Sequence, residues 1–373
     1  MVNLPTKLRV RALVEATAMA CNASGATLKH GRRRSLVAML PVALALPGGG
    51  ALAVPVSWVP NADGFWSALA NWSGGALPGL NDDVTISVCG SVLRNITYNR
   101  GTSTIASLLS DENLIFSGGS LTVSGAYTHN ADTRLAPGGT LTLNGTSALS
   151  TLTMSGGTFG GSGNVTVTGL ANITGGNMYG VVTVKGSPPP AQLAAGKTML
   201  MGGGSFAGAG FGLDNGRVLQ IGSSTAADPL STVTWSAGTI ALNPTFNNTA
   251  LGNFQGVLST GTRGVITTSF DGSITNNTFN GNDDGGRARF DNAGSFIKSA
   301  GLGTTTVGVA FNNSGTVEIE SGSISFAGGG ADVGGLYKGL GTLVFSGGAH
   351  TLDAASSITR AWTPARQAPK AAL

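Results

Sequence analysis

Beyond residue 92 the chain is dominated by short runs in which apolar and polar residues alternate. Each run is about five residues long and is bounded by Gly, Asn, Ser or Asp, as in SLTVS (120–124), TLTLN (140–144) and TVEIE (316–320). Alternation with a period of two, rich in Thr and Val, predicts β-strands with one buried face. Helical periodicity is almost absent after residue 53, so the sequence predicts an all-β protein.

The glycine-rich turns between these runs recur at a nearly constant spacing. Glycine pairs begin at residues 118, 138, 156 and 175. The segment FDNAG (290–294) returns as FNNSG (311–315), 21 residues later. Self-similarity at about twenty residues is typical of a solenoid in which each repeat forms one coil. We therefore predict a parallel β-helix (β-solenoid), with a β-sandwich as the alternative because its strands are also short.

A coil of this length cannot bury its own apolar face, but stacked coils share one continuous core. Strands of successive coils would pair in parallel, so roughly thirteen coils between residues 93 and 353 would rise about 60 Å. Glycine at the corners supplies positive φ without steric cost. Asn292 and Asn313 occupy equivalent repeat positions, and we predict that they stack as an internal amide ladder.

Two segments depart from the repeat pattern. The stretch from Ser187 through Pro188-Pro189-Pro190 to Gly212 is irregular, and proline cannot donate to a strand ladder. We predict a protruding loop there. Residues 354–373 lose the alternation, and we predict that they form a disordered tail.

The first 53 residues have the composition of an export signal. The basic run Lys29–Arg34 precedes the apolar stretch Leu36–Leu46 and small residues that end at Ala53. That order matches the charged, apolar and cleavage regions of a signal peptide, and the apolar stretch is shorter than the roughly 20 residues that span a bilayer. We predict a signal peptide with an extended basic region over 1–53, export by the general secretion machinery, and a secreted or cell-surface location.

Composition narrows the function classes. Charged residues make up only 10% of the chain and hydrophobic residues 41%, which is unlike a disordered polyelectrolyte. The 60 glycines lack the every-third spacing of collagen. Seven of the 21 basic residues but only one of the 17 acidic residues lie within residues 1–53. The remainder is slightly acidic, and nothing in it favours a nucleic-acid partner.

The segment 58–86 reads WVPNADGFWSALANWSGGALPGLNDDVTI. It resembles an N-terminal module of large secreted bacterial repeat proteins. The Phe-Asn-Asn-x-Gly repeats are similar to the passenger repeats of autotransporter and haemagglutinin-like adhesins of Gram-negative bacteria. The resemblance implies a parallel β-helix at the cell surface, with an adhesin-like or structural role and a host-surface or extracellular glycan or protein as ligand.

One part of the autotransporter pattern is missing. Autotransporters end in a membrane β-barrel whose strands are about ten residues long and amphipathic. Nothing after Gly348 matches such strands. We therefore expect no intrinsic membrane barrel, and either a truncated passenger or a protein exported without its own translocator.

Three tryptophans form the first candidate site. Trp58, Trp66 and Trp72 lie in the segment 54–92. Aromatic faces suit sugar rings, so these residues are a candidate carbohydrate-binding platform. The favoured interpretation is a Trp-rich cap that closes the open N-terminal end of the solenoid repeats in 93–353.

A second candidate is the run Asn282–Arg287, which places Asp283 and Asp284 near Arg289 and Asp291. Paired carboxylates suit acid/base chemistry on glycosides, so a polysaccharide lyase or hydrolase is an alternative function. Asp-Gly and Asn-Gly runs are also ordinary turn chemistry, and we predict no catalytic residue.

The remaining motifs favour structural roles. The pair Asp82-Asp83 lacks the spacing of known calcium loops, and the run 202–212 (GGGSFAGAGFG) lacks the Lys and Ser/Thr of a phosphate loop. Cys21 falls in the predicted signal peptide, so Cys89 is expected to be a small buried apolar residue. We predict no metal site, no cofactor and no enzymatic activity.

Overall fold

The computed structural model describes residues 54–180, 198–245, 255–279 and 286–360. The chain divides into two units. Residues 89–91 belong to one unit, whose remainder lies outside the described residues, and the other unit contains the strands. The predicted signal peptide, residues 1–53, lies outside the described residues.

Short strands account for the regular structure, together with a 3-10 turn at Leu69–Asn71. In chain order the strands are β1 (Val54–Ser57), β2 (Gly64–Phe65), β3 (Asp82–Ile86), β4 (Asn95–Tyr98), β5 (Thr102–Ile105), β6 (Ser107–Ser110), β7 (Asn113–Phe116), β8 (Gly119–Val123), β9 (Tyr127–Leu135), β10 (Gly139–Leu143), β11 (Ser147–Gly160), β12 (Val165–Val167), β13 (Ala171–Tyr179), β14 (Thr198–Met201), β15 (Gly204–Phe206), β16 (Gly210–Asp214), β17 (Val218–Ile221), β18 (Ser231–Trp235), β19 (Thr239–Ala241), β20 (Val257–Thr260), β21 (Gly264–Thr268), β22 (Ser273–Thr275), β23 (Arg289–Asn292), β24 (Ser295–Lys298), β25 (Thr304–Val307), β26 (Ala310–Asn313), β27 (Thr316–Ile319), β28 (Ser323–Phe326), β29 (Gly330–Asp332), β30 (Leu336–Gly339), β31 (Thr342–Phe345), β32 (His350–Leu352) and β33 (Ser357–Arg360).

These strands stack in parallel on three faces. Face A contains β1, β3, β6, β9, β11, β12, β14, β17, β20, β23, β26, β29 and β32. Face B contains β2, β4, β7, β9, β11, β13, β15, β18, β21, β24, β27, β30 and β33. Face C contains β5, β8, β10, β11, β13, β16, β19, β22, β25, β28 and β31. The predicted parallel β-helix is confirmed, and the β-sandwich alternative is wrong.

The inward positions of the alternating pattern form a continuous core. Leu121 pairs with Leu141, which pairs with Phe159, and all three side chains are fully buried. Burial of each such side chain contributes about 1.5–3 kcal/mol relative to exposure. The core therefore grows by one layer per coil, as the repeat predicts.

Glycine is required at the corner that precedes face C. Gly119, Gly138, Gly157 and Gly176 have positive φ, between 72° and 97°. A Cβ added at Gly157 would lie 2.5 Å from the carbonyl oxygen of Gly139 in the coil before it. The corner thus needs both the left-handed backbone and the missing side chain, which explains the recurring glycine pairs.

The length of chain between paired strands varies widely, while the pairing stays parallel. Ser147 pairs with Val165 in the next coil, whereas Val218 pairs with Val257. Of the additional residues in the longer coil, 222–230 lie between β17 and β18 and not inside a strand. Corners therefore absorb differences in coil length without a change of register.

The predicted loop over 187–212 is wrong for residues 198–212. These residues form β14, β15 and the start of β16, which join faces A, B and C respectively. The inward positions of β14 and β15 are occupied by Met199, Met201 and Phe206, and all three side chains are buried. The three prolines lie in 181–197, outside the described residues.

The structure places the ends of the repeat region differently from the predicted boundaries at 92/93 and 353/354. Strands β1 and β2 pair in parallel with β3 and β4, so the Trp-rich segment 54–92 already belongs to the stack. Strand β33 pairs with β30, so the tail prediction for 354–373 is wrong up to residue 360. A four-residue strand is too short to show a clear alternating pattern. Residues 361–373 lie outside the described residues.

Candidate functional site

The three tryptophans pack against one another in the first coil. The rings of Trp58 and Trp72 lie 5.2 Å apart at 87°, and those of Trp66 and Trp72 lie 4.6 Å apart at 65°. The indole Nε1 of Trp72 donates to the carbonyl oxygen of Trp66 at 2.7 Å. The aromatic column continues through Tyr98 to Phe116, with centroid distances of 5.5 and 6.0 Å.

This cluster belongs to the core. Trp58, Trp66 and Trp72 are only 2–3% exposed. Since stacking on a sugar needs an accessible ring face, the structure corrects the carbohydrate-binding prediction for these residues. The rings fill the N-terminal end of the core, which is the position that the favoured interpretation, a cap, requires.

A polar groove of about 230 Å³ lies on the outside of face A, across β20, β23 and β26. Its polar lining includes Ser259, Asp291, Asn312 and Ser314. Asp291 is the only carboxylate among the lining residues. Asp283 and Asp284 of the candidate acidic run lie outside the described residues.

Side chains of the groove are linked to one another across layers. Arg289 Nε donates to Asp291 Oδ2 at 2.7 Å, and Asn312 Nδ2 donates to Asp291 Oδ1 at 2.8 Å. Asn312 Oδ1 accepts the backbone N–H of Ala331 at 3.1 Å. Asp291 and Asn312 offer a carboxylate and an amide to a polar ligand in the groove, and the described lining residues do not supply the second carboxylate of a glycosidase pair.

Beneath this groove, the predicted amide ladder is confirmed. Asn292 Nδ2 donates to Asn313 Oδ1 at 2.9 Å, and Asn292 Oδ1 accepts the hydroxyl of Thr260 at 2.7 Å. The three side chains are 1% exposed and belong to successive layers of face A. They bond to one another in the core, where Asn313 Nδ2 is buried without a hydrogen-bond partner.

The buried polar row continues beyond Asn313, which the sequence analysis missed. Asp332 pairs with Asn313, and its carboxylate accepts the hydroxyl of Tyr337 at 2.6 Å. His350 Nε2 lies 3.1 Å from the other carboxylate oxygen. Burial, followed by the neighbouring carboxylate, raises the pKa of Tyr337. The repeat offset from Asn313 to Asp332 is the signal that would have revealed this cluster.

A second buried polar cluster surrounds His129. Its Nε2 donates to the carbonyl oxygen of Glu112 at 2.7 Å, while Nδ1 faces the hydroxyls of Thr133 and Tyr127. Burial lowers the pKa of His129, and the Ser110 hydroxyl donates to the Glu112 carbonyl at 2.9 Å. No hydroxyl of the cluster is both accessible and activated by a base, so the contacts support a structural role.

The remaining candidates have local roles. Asp82 Oδ2 accepts the N–H of Gly79 at 2.7 Å, and Asp83 Oδ1 accepts the Ser107 hydroxyl at 2.5 Å. In the part of the chain that the structure describes, no group of three or more His, Cys, Asp or Glu side chains could hold a metal ion. Cys89 is exposed, so the prediction of a buried apolar cysteine is wrong.

None of the helical segments within the described residues is long and apolar enough to cross a membrane. No family model, curated protein or solved structure matches the chain. The functional argument therefore depends on the fold and on the contacts of individual residues.

Proposed function

We propose that the chain is a secreted or cell-surface β-helical protein of the autotransporter-passenger type, with an adhesin-like or structural role and without catalytic activity. The observation that carries this proposal is the way in which polar side chains are used. They bond from one coil to the next along the stack. Among the described residues, they do not bring two acid/base groups together in a cavity.

The longest such row on the outer surface lies in the first half of the stack. Asp63 accepts the backbone and side-chain N–H groups of Asn95 at 2.9 and 3.1 Å. Asn113 Nδ2 donates to Asn95 Oδ1 at 3.2 Å, and Asn113 Oδ1 accepts the N–H of Asp132 at 3.3 Å. The hydroxyl of Thr151 then donates to Asp132 at 2.9 Å. Five layers are joined by side chains in addition to the backbone ladder.

Rows of this kind suit a scaffold. Each coil contacts only its neighbours, so side-chain bonds between layers add to the interface terms that stabilise a solenoid. The corners project from this stack and differ in length, so they can present contact residues. A rigid stack that displays variable corners matches the requirements of a structural or adhesive surface protein.

Export is tested with the full-length gene in a Gram-negative host. We expect the protein in the secreted or surface-exposed fraction, with a mature N-terminus at Val54, because residues 1–53 have the order of regions of a signal peptide. Mass spectrometry of the intact protein measures the cleavage site. Retention of the uncleaved chain in the cytoplasm would contradict the proposal.

Lack of catalysis is tested on the exported protein. We expect no release of oligosaccharides from uronate polymers or neutral glycans. If depolymerisation occurs and the double substitution Asp283→Asn, Asp284→Asn abolishes it, the alternative function of a polysaccharide lyase or hydrolase replaces the proposal.

A second candidate function is carbohydrate binding in the groove on face A, favoured by Asp291 and Asn312, which line the groove and bond to each other. Asp291→Ala would remove the shared acceptor, and we expect it to abolish any glycan-array signal. The matched control is Asp132→Ala, since Asp132 forms a similar pair with Arg134 at 2.6 Å outside the groove. Equal signals from both variants would exclude this site.

A further inference from the structure

The N-terminal end of the stack has a protected edge. Pro55 has no N–H to offer on the outer side of β1. The N–H groups of Ser57 and Val59 donate to the segment 71–73, each at 2.9 Å. An antiparallel bridge between Trp58 and Trp72 completes this cover. Donors that an additional strand would need are therefore absent or already used.

The last coil has no such protection among the described residues. Each of β31, β32 and β33 pairs with one strand of the preceding coil, and no described strand lies on its other edge. None of the three contains proline. Ser357 donates its N–H back to Gly335 at 2.8 Å. Since bonding direction alternates along a parallel strand, the N–H of Ile358 faces outward.

Apolar side chains are exposed at the same edge. Phe345 pairs with Phe326, and Ile358 pairs with Tyr337. The earlier residue of each pair is at most 1% exposed, whereas Phe345 is 38% and Ile358 59% exposed. A groove of about 240 Å³ opens here between Tyr337, Leu343 and Ile358. These positions are core positions, and no described strand forms a next layer over them.

A buried polar atom at this end also lacks a partner. The side chain of His350 is 4% exposed, and its Nε2 lies 3.1 Å from Asp332. Its Nδ1 is buried without a hydrogen-bond partner. An unsatisfied buried polar group costs about 1–3 kcal/mol. A further layer on β32 would place new backbone groups near this atom.

We propose that a second copy of this chain covers the end formed by β31, β32 and β33, so that two stacks meet end to end. The protected edge at β1 disfavours addition on face A of the opposite end. Pairing of two copies through the same surface gives a closed two-fold dimer and not a filament.

Geometry and charge both suit this arrangement. Two identical coils that face each other run in opposite directions, so their edges meet as antiparallel strands. On one of the three faces, the edge strand meets the same strand of the second copy. On the other two faces, each edge strand meets the edge strand of the other face in the second copy. Strands β31 (TLVF) and β32 (HTL) contain no Lys, Arg, Asp or Glu, and β33 (SITR) contains one charged residue, Arg360. The two copies therefore bring no like-charged side chains of β31 and β32 together.

Analytical ultracentrifugation of the full chain over a range of concentrations tests the dimer. Ile358→Lys places a cation on the exposed edge, and we expect it to raise the dimer dissociation constant by at least about tenfold. The matched control is Leu302→Lys, because Leu302 is 94% exposed at a corner three coils away. It should leave the dissociation constant unchanged, and circular dichroism shows that both variants are folded.

Several outcomes would overturn the proposal. A full chain that remains monomeric at every concentration excludes the dimer, and a dimer that tolerates Ile358→Lys is formed elsewhere. Assembly that continues beyond two copies shows head-to-tail addition. If the full chain is monomeric and a chain ending at Arg360 dimerises, residues 361–373 and not a second copy cover this end.

Discussion

Asn292 and Asn313 are bonded through their side-chain amides at 2.9 Å, although 21 residues separate them along the chain. Both are 1% exposed, in a core that is otherwise mostly apolar. The bond exists only when their two strands are paired in register. A shift of either strand by one residue would turn its own amide outward and break the bond, so this pair specifies how two coils align.

Loss of the Asn292 amide should therefore destabilise the protein. Asn292→Ala leaves the groups of Thr260 and Asn313 buried without this partner, and we expect the free energy of unfolding to fall by about 1–3 kcal/mol. Urea denaturation measures the change. Asn312→Ala, at the adjacent outward position, is the control and should have a smaller effect. Equal losses would show that the buried amide has no special role.

Acid should weaken the coil that contains His129. Burial lowers the pKa of this side chain in the folded state, so the unfolded chain binds a proton first. Stability should fall as pH decreases below about 6.5, the ordinary value for histidine, and should level off below the folded-state pKa. Chemical denaturation at a series of pH values measures the slope. In His129→Gln that slope should be reduced, and an unchanged slope would assign it to other groups.

Glycine at the corner before face C should be indispensable. Gly157 has a φ of 72°, and an added Cβ would lie 2.5 Å and 2.6 Å from two carbonyl oxygens. Gly74 has a φ of 85°, but an added Cβ would meet nothing within 4 Å. Gly74→Ala should cost about 1–2 kcal/mol from the backbone conformation alone, and Gly157→Ala should cost clearly more. Thermal unfolding compares them, and similar melting temperatures would contradict the steric argument.

Truncation in the tryptophan cluster should destabilise the first coil. Trp66 is 3% exposed and contacts both Trp72 and Tyr98, so Trp66→Ala should cost about 3–5 kcal/mol. Its neighbour Phe65 is 53% exposed, and Phe65→Ala is the control with little expected change. Denaturant unfolding followed by circular dichroism measures both. If Trp66→Ala keeps its stability but loses binding to a glycan, the ring has a recognition role and not a structural one.

The architecture could be predicted because its rules are local. Alternation within five residues identifies a strand, and a fixed repeat identifies the stack, as with Asn292 and Asn313. The tryptophans were ambiguous for a physical reason, because an aromatic side chain suits a core and a sugar platform equally well. The sequence does not tell whether the ring of Trp66 is exposed to water or buried in the core.

Buried charged residues were beyond reach for a different reason. Arg217 is fully buried, and it donates to the carbonyl oxygen of Gly161 at 2.7 Å, 56 residues away along the chain. Burial lowers its pKa to about 10. Lys298 is likewise buried and pairs with Asp271 at 2.7 Å. Such partners come from other coils, so a pattern of neighbouring residues cannot reveal them.

The number of residues between paired positions differs from coil to coil: it is larger between Val218 and Val257 than between Ser147 and Val165. This difference has an evolutionary consequence. Insertions and deletions at corners leave the paired strands and the core unchanged. Selection can therefore remodel the displayed surface of this protein by lengthening or exchanging single corners, while the stability of the stack is inherited intact. The same property makes corner 222–230, between β17 and β18, a suitable position for grafting a foreign peptide.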